Sequence, residues 1–460
     1  MSNKLIQIYF PEEGDGIDLI FSYLGLSYKR IGKINSLKKS NIFICQEDKF
    51  KENAPHIKRF IESGGNILLI PRSIKKIKNR DYLHKNILIK RNRVYLLRYN
   101  IFEIFEILSK DEKGLFNSGK FKRRFPIDSL LYDIAISFQG ALFKLDKIQF
   151  FKWFWPRDLE SAIILSHDVD TANELNDGIP KFRKLEKRMR YNSVWFFRPG
   201  DRYEIYPSML KQMIKEGCEI GLHAINDAYK NKKILTAQKH FIENKMGEKI
   251  KGVRNHCLVR EVLTTQRVEK DSGFLYESNI PDTDNCVPNY ENRGCTFFYP
   301  YNLNGVTIFP LTLHDWCFVS GNKFPDKKSM KMYLQKLKYI NSKNGLMTSL
   351  FHAADYMSGG KRLWMYEKFL NKIPKMKNMW VDLPSNIYLW NKRRNSIKFN
   401  VNINEEGIKI EFINGVCTLA MPVSLDNQIK RNISFSYRNK NLLFKIKKID
   451  RYVLFCFKKC

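Results

Sequence analysis

The sequence predicts an α/β protein whose central part is a barrel-like sheet of about seven strands, with a small open α/β domain before it and a small antiparallel β-sandwich after it. Three observations predict this. Between Ser161 and about Leu389, short apolar runs alternate with amphipathic segments, and most apolar runs end on a polar or ionisable residue. Over residues 1–105 strand-like and helix-like runs also alternate, the pattern of a parallel sheet. Beyond residue 390 the helical period is lost, and short strands are separated by turn residues such as NG and RNKN. The boundaries read as 1–105, a connecting segment 106–155, the barrel 156–390 and the sandwich 391–460.

In the first domain LIQIYF leads into the helical pattern DGIDLIFSYLGL, NIFIC into APHIKRFIESGG, and NILLIP and RVYLLRY follow. Gly64 and Gly65 stand where a helix C-cap releases the chain into a strand. The step RFIESGGNILLIP resembles the helix, GG, strand step of flavodoxin-like or amidotransferase-like open sheets. Cys45, in NIFICQED, has no flanking glycines to form a nucleophile elbow, so this domain is expected to be non-catalytic. The connecting segment ends in the aromatic-rich FQGALFKLDKIQFFKWFWP, where Trp153 and Trp155 read as packing residues rather than a sugar platform. The central strands are SAIILS, SVWFF, CEIGLH, IKGVRN, FLYESN, VTIFPLTLH and LMTSLFH. Helical segments such as KFRKLEKRMR, YPSMLKQMIKEG, ILTAQKHFIENKMG and KKSMKMYLQKLKYI lie between several of them. SIKFNVNI, GIKIEFI, VCTLAMP, NISFSY, LLFKIK and YVLFCF are the strands of the last domain.

A chain of 460 residues implies two or three domains. Its nine cysteines are scattered without a CxxC pair, which speaks for reduced thiols over a disulfide framework or zinc knuckle. Lys and Arg exceed Asp and Glu by 80 − 47 = 33, an excess spread along the whole chain. With no helix-turn-helix signature and no basic stripe interleaved with stacking aromatics, a nucleic acid is not the expected partner. The charge would equally serve an anionic membrane surface or a lipid-linked glycan. No apolar run is long enough to span a membrane, and MSNKLIQIYFPEEGD reaches acidic residues too early for a secretory signal. The expectation is a cytoplasmic protein, peripheral at the membrane if bound there at all.

The chemistry concentrates at the strand exits, where barrel-like α/β folds gather their active residues. AIILSHDVDTANE ends a buried-looking strand on His167, Asp168 and Asp170. His223 ends the third strand, Arg254 and His256 follow the fourth, His314 and Asp315 the sixth, and His352 ends the seventh. Two residues apart on extended backbone, Asp168 and Asp170 point to one side, so one can bind a cation while its neighbour stays free as a base. A metal-assisted amide or ester hydrolase needs such a set: a cation to polarise the carbonyl, a base for the proton of water, and an acid for the leaving group. Each residue also has a bland reading: a turn former or helix cap for Asp170, a hydrogen-bonded core histidine for His223, an ion pair for Arg254 and a loop contact for His352. Their order at successive strand ends favours the site. His167, His314 and Asp315 could line its pocket, whereas His56, His84 and His240 read as surface or helix residues.

The segment from about Pro156 to Leu389 resembles the polysaccharide deacetylase family, the NodB-homology or chitooligosaccharide-deacetylase domain. That resemblance implies an irregular (β/α) barrel, a divalent metal such as zinc, and a carbohydrate substrate. SHDVD is similar to the first motif, which makes Asp168 the base and Asp170 a metal ligand. EIGLHAIND is similar to the second, giving His223 as ligand and leaving Asp227 where the family has a second histidine. GVRNHCL is similar to the third, placing Arg254 to orient the base, and LMTSLFH to the last, making His352 the general acid. GFLYESN stands where the fourth motif would. Asp227 can ligate zinc but adds negative charge to the site; His256 is a substitute ligand, and His256, His314 and Asp315 are otherwise candidates for substrate binding. The implied activity is removal of acetyl groups from an N- or O-acetylated sugar or glycan precursor, in surface-polysaccharide metabolism. The change at position 227 motivates an alternative, a catalytically weakened carbohydrate-binding or scaffold protein.

Overall fold

The computed structural model describes residues 6–9, 15–26, 28–34, 42–71, 89–91, 93–97, 99–104, 129–145, 150–261, 263–281, 298–321, 323–403, 407–422, 433–438, 440–449 and 452–457. His84 and most of the connecting segment lie outside them. The chain divides into two compact units, one of Met1–Lys122, Leu130–Asp158 and Lys392–Cys460, the other of Arg123–Ser129 and Leu159–Asn391. Among the described residues no helix is long and apolar enough to cross a membrane.

The first unit holds an open sheet of β1 (Ile6–Tyr9), β2 (Tyr28–Arg30), β3 (Ile42–Gln46), β4 (Asn66–Ile70), β5 (Ile89–Arg91) and β6 (Val94–Leu96), in the order β2-β1-β3-β4-β6-β5. All pairs are parallel except β5 with β6. The parallel strands run β2-β1-β3-β4-β6, and β5 pairs antiparallel at the edge beyond β6. Helices α1 (Asp15–Leu24), α2 (Glu47–Glu52) and α3 (Ala54–Glu62) connect its strands. Gly64 N–H reaches Ile61 O and Gly65 N–H reaches Phe60 O, the paired bonds of a Schellman ending. Gly64 has φ +93°, and a Cβ on Gly65 would stand 2.2 Å from the Phe60 ring, so both glycines are required. Phe60 and Ile57 then seal against Phe43, Ile67 and Leu69. Cys45 is buried and its thiol is pushed up to about 12, by burial first and Asp48 second, which disfavours the thiolate.

The long apolar helix α4 (Leu130–Leu145), hidden in a stretch whose sequence reads as mixed, sets Phe138 edge-on to Phe21 and Phe102. Trp153 and Trp155 are fully buried beside it in sequence and serve as packing. Short strand β7 (Phe151–Lys152) follows α4.

The C-terminal part forms two small sheets. These are β18 (Phe399–Ile403), β19 (Ile408–Phe412), β21 (Ile433–Tyr437) and β22 (Lys440–Asn441), and a second of β23 (Phe444–Ile449), β24 (Tyr452–Phe457), β20 (Leu419–Pro422) and β7. Phe435 and Phe412 of one pack on Phe455 and Phe457 of the other. The expected all-antiparallel pairing is broken once, because β19 and β21 run parallel. The chain leaves that sheet to place β20 in the other, and such a return restores the original direction.

The second unit is built on a curled, mostly parallel sheet of β8 (Ser161–Val169), β9 (Val194–Phe197), β10 (Glu219–Ala224), β11 (Gly252–Asn255), β12 (Tyr276–Glu277), β13 (Tyr301–Leu303), β14 (Val306–Ile308), β15 (Leu311–His314), β16 (Leu346–Leu350) and β17 (Met379–Val381). Their order is β13-β14-β12-β11-β10-β9-β8-β16-β15, with β17 beside the start of β8. Helices α5 (Ile179–Met189), α6 (Pro207–Lys215), α7 (Lys232–Met246), α8 (Thr264–Asp271), α9 (Asp326–Ser342) and α10 (Leu363–Leu370) lie between the strands in sequence, and α11 (Pro384–Ser396) follows β17. VTIFPLTLH, expected as one strand, is two. Pro310 has no N–H to continue the ladder, so β14 pairs β12 while β15 pairs β16 at the other end of the order. A single bridge from Pro281 to Leu311 draws those ends together, which is how an open sheet comes to be barrel-like.

Cys45, Cys218, Cys257, Cys417 and Cys456 form no disulfide. Cys317 is disulfide-bonded, which corrects the expectation of reduced thiols there. Local CxxC spacing reports only short-range pairs and is silent on a bridge between distant segments.

Candidate active site

All nine residues of β8 are buried, and their alternation decides which side chains reach the site. Ser166 and Asp168 meet the same guanidinium, that of Arg254 on β11, at 2.9 Å each. His167 faces the other way. Its Nδ1 lies 2.7 Å from Phe351 O, its Nε2 2.9 Å from Glu186 Oε1, and its ring stacks on Trp195 at 4.1 Å. His167 is therefore a satisfied core histidine and does not line the pocket. Glu186 also accepts from Arg183, Ser193 and Tyr366, so this buried network is closed.

Arg254 is wholly buried. Besides Asp168 and Ser166 it donates to Ser278 O and Ser278 Oγ, and it lies 4.5 Å from the centre of the Phe196 ring. Burial alone would raise the Asp168 carboxyl, but Arg254, then His223 and His352, outweigh it and hold the group below the usual carboxylate range.

Asp170, His223 and His256 bring one ligand atom each to within 4.8 Å of one another. His223, at the end of β10, sets its Nδ1 3.0 Å from Arg254 O. That bond makes Nδ1–H the donor and leaves Nε2 facing Asp170 Oδ1 at 3.4 Å. His256 Nε2 stands 3.6 Å from the same oxygen. It gets there because Cys257 and Leu258 both take φ 56° and fold the chain back after β11, while Asn255 is anchored by Asn279 Oδ1 at 2.6 Å. Burial and the neighbouring His223 push His256 down to about 4, which keeps its lone pair free at neutral pH. The two carboxylates raise His223 despite the opposing effect of burial.

Asp227 is not in this group. After β10 the chain enters a short turn, Asn226–Tyr229, with Asn226 at φ 57°, and the Asp227 carboxylate is exposed and paired with Lys230 at 3.1 Å. The spacing of four would meet His223 only on a continuing helix, and none follows. His256 takes the place that the sequence offered to Asp227.

His352 follows β16, and Asp315 fixes it. Asp315 Oδ1 accepts from His352 Nδ1 at 2.7 Å and from Trp316 N–H at 2.8 Å; Oδ2 accepts from His352 N–H at 2.8 Å and Ser358 Oγ at 2.6 Å. With all four bonds made and no exposure, Asp315 orients the imidazole and does not line the cavity as a substrate contact would. His352 Nε2 is left 3.8 Å from Asp170 Oδ2. Burial disfavours the imidazolium, but Asp315, Asp168 and Asp170 push it up to about 10. His314 does line the cavity. Burial, then the His352 cation, hold it down at about 3, and its Nδ1 has no partner among the described residues.

These side chains form the polar floor of a cavity of about 330 Å³, whose apolar wall is Leu258, Leu350, Trp316 and Met357, with the half-exposed Tyr356 beside them. Glu174, fully buried behind Asp170, was not among the expected site residues; the spacing Thr171-x-x-Glu174 of a capping box was the readable signal. Ser166 on β8 and Ser278 just after β12 were missed too, because small hydroxyl residues carry no spacing signature. His56 and His240 are exposed, as expected.

No family model and no curated protein matches the chain. Solved structures do. The solved structures it resembles include polysaccharide deacetylases. A protein of Mycobacterium smegmatis described as one shares 19% identity over 53% of this chain and 94% of its own, with a TM-score of 0.44. A second, from Pseudomonas aeruginosa PAO1, shares 15% over 51% and 92%, with a TM-score of 0.39. Puue allantoinase shares 14% over 51% and 91%, with a TM-score of 0.42.

Proposed function

We propose that the protein is a metal-dependent hydrolase that removes an acetyl group from an N- or O-acetylated sugar or glycan precursor. One observation carries the reading: a buried Asp–Arg pair, an Asp-His-His group and an Asp-oriented histidine, from five separate strand ends, meet on one cavity. The donor set suits a borderline cation such as zinc, which takes imidazole and carboxylate together. The second hydrogen bond on His223 supports it, since a ligating histidine normally donates its other N–H to a fixed acceptor. Asp170, His223 and His256 would hold the ion, which when bound polarises the acyl carbonyl and acidifies water.

The protein's own residues supply the proton transfers. Asp168, kept ionised by Arg254, accepts the proton of the attacking water; Arg254 aims the carboxylate. His352, kept protonated by Asp315, gives its Nε2 proton to the departing amine or alcohol. The apolar wall beside this floor offers the acyl group a dry seat, and the cavity volume is at the small end for ligand sites. The sugar class rests on the sequence motifs.

Purified protein reconstituted with zinc and offered acetylated chitooligosaccharides and O-acetylated xylan should release acetate. Chelation, D168N or H352A should abolish the release. Failure to bind zinc, cobalt or nickel, with every acetyl group retained, rules the proposal out. Full cellular function of D168N would instead favour the scaffold role.

A further inference from the structure

Glu174 stands one helical turn beyond Asp170 and is completely buried. Its Oε2 accepts the backbone N–H of Asp170 at 2.7 Å, that of Thr171 at 2.9 Å and the Thr171 hydroxyl at 3.2 Å; Glu174 N–H returns a bond to Thr171 Oγ1 at 3.3 Å. Its other oxygen is buried without a partner among the described residues. A capping carboxylate stabilises a helix modestly, whereas burying a carboxylate is costly. Capping alone therefore leaves this residue unexplained.

What the buried carboxylate holds is the peptide that aims Asp170. The same segment also reaches the other half of the site. Glu174–Gly178 is wound as a wide, five-residue turn, and Gly178 lies so close to the residue after His352 that a Cβ there would be 2.5 Å from Ala353 O. Asn173 Nδ2 donates to Asp355 Oδ2 at 3.4 Å on the same loop.

We propose that Glu174 is a positioning residue: it pins the Asp170 peptide so that the carboxylate faces His223 and His256, and the turn it opens holds the His352 loop at a set distance from Asp170. This rests on the reading of Asp170 as a metal ligand. The capping pattern by itself predicts only helix stability.

The test measures zinc affinity of the full-length protein, by competition with a chromophoric chelator well below the unfolding temperature, alongside the thermal midpoint. E174A should bind zinc about 10- to 100-fold more weakly, the usual loss when a group behind a ligand is removed. E174Q, which keeps one carbonyl acceptor for both N–H groups, should bind close to wild type. E174D keeps the charge but withdraws the acceptor by about 1.5 Å; it should also bind weakly, and it serves if E174A does not fold. A lowered midpoint with unchanged zinc affinity in E174A or E174D means a helix cap and overturns the proposal. If wild type itself takes up no zinc, the metal reading fails separately, and a crystal structure of E174D decides the rest. Asp170 moved from His223 by about 1 Å, a shift large enough to cost about 100-fold in a catalytic site, supports positioning; unmoved, it refutes it.

Discussion

At the scale of the residue, two aspartates were offered by the sequence as ligands and the fold brings one of them beside His223 and His256. Asp170 lies 3.4 Å from His223 Nε2, while Asp227 points to Lys230 at the surface. H256A should therefore weaken zinc binding by about 100-fold or more, beyond the 10- to 100-fold typical of groups behind the ligands, and D227A should leave it unchanged. Isothermal titration of the two variants reads this directly; the reverse ranking would return the ligand role to Asp227. The Asp315–His352 pair makes a second prediction, for the metal-free protein. Asp315 is held below its ordinary range, burial opposing and His352 outweighing it, so its contribution to stability is present above the unfolded carboxylate value and lost on acidification. His352 is raised to about 10, so its contribution is complete below the unfolded imidazole value and is lost as pH climbs from there through about 10. Denaturant midpoints should fall more steeply between pH 7 and 10 in wild type than in H352Q. D315N leaves His352 N–H groups facing an amide and should cost about 3–5 kcal/mol, as breaking one side of a buried pair does. That Asp168, Asp170, His223, Arg254 and His352 would lie close together was legible, because strand-exit position and motif order both mark them. Glu174 and Asp315 act through another residue, and contact across 37 positions, as from Asp315 to His352, leaves no local pattern.

At the scale of the element, β8 shows how much alternation can say. Once Asp168 is assigned inward, His167 must face the helices, and its bond to Glu186 on α5 follows. Alternation could not show that VTIFPLTLH would part at Pro310, because pattern does not reveal which neighbour a strand will find. The turn after β10 was misread for a related reason: a spacing of four presumes a helix, and Asn226 at φ 57° ends that assumption. Helix α8 and strand β12 hold a further consequence. Glu269 and Glu277 are both fully buried, burial first raises each, and the Glu277 charge raises Glu269 further, whose Oε2 has no partner among the described residues. A carboxyl raised on folding stabilises most below its unfolded value, and that contribution drains away as pH rises. E269Q copies the protonated form. Its urea midpoint should decline less from pH 5 to 8 than that of wild type, and Asn279 Nδ2, 3.0 Å from Glu269 Oε1, keeps its acceptor. Equal slopes for the two proteins would show that this pair is already ionised in the folded state.

At the scale of the whole molecule, the excess of 33 positive charges is spread along the chain and belongs to no single element. Composition made it legible at once, but composition says nothing of fold, and the described ion pairs join neighbours without removing the surplus. Like charges held on a compact body repel more than on an expanded chain, so folding is opposed by self-repulsion that salt screens, the Debye length shrinking from about 10 Å at 0.1 M to about 3 Å at 1 M. Raising sodium chloride from 0.05 to 0.5 M should therefore raise the thermal midpoint of the metal-free protein. Zinc should raise it by a separate route, since a ligand that binds only the folded state adds about 2.7 kcal/mol at 100 times its dissociation constant. The two effects are separable in one experiment. H256A should lose the zinc increment and keep the salt increment, because the first is a property of three side chains and the second of the whole surface. Loss of both in H256A would mean that the substitution damages the fold, and persistence of the zinc increment would mean that the ion binds elsewhere.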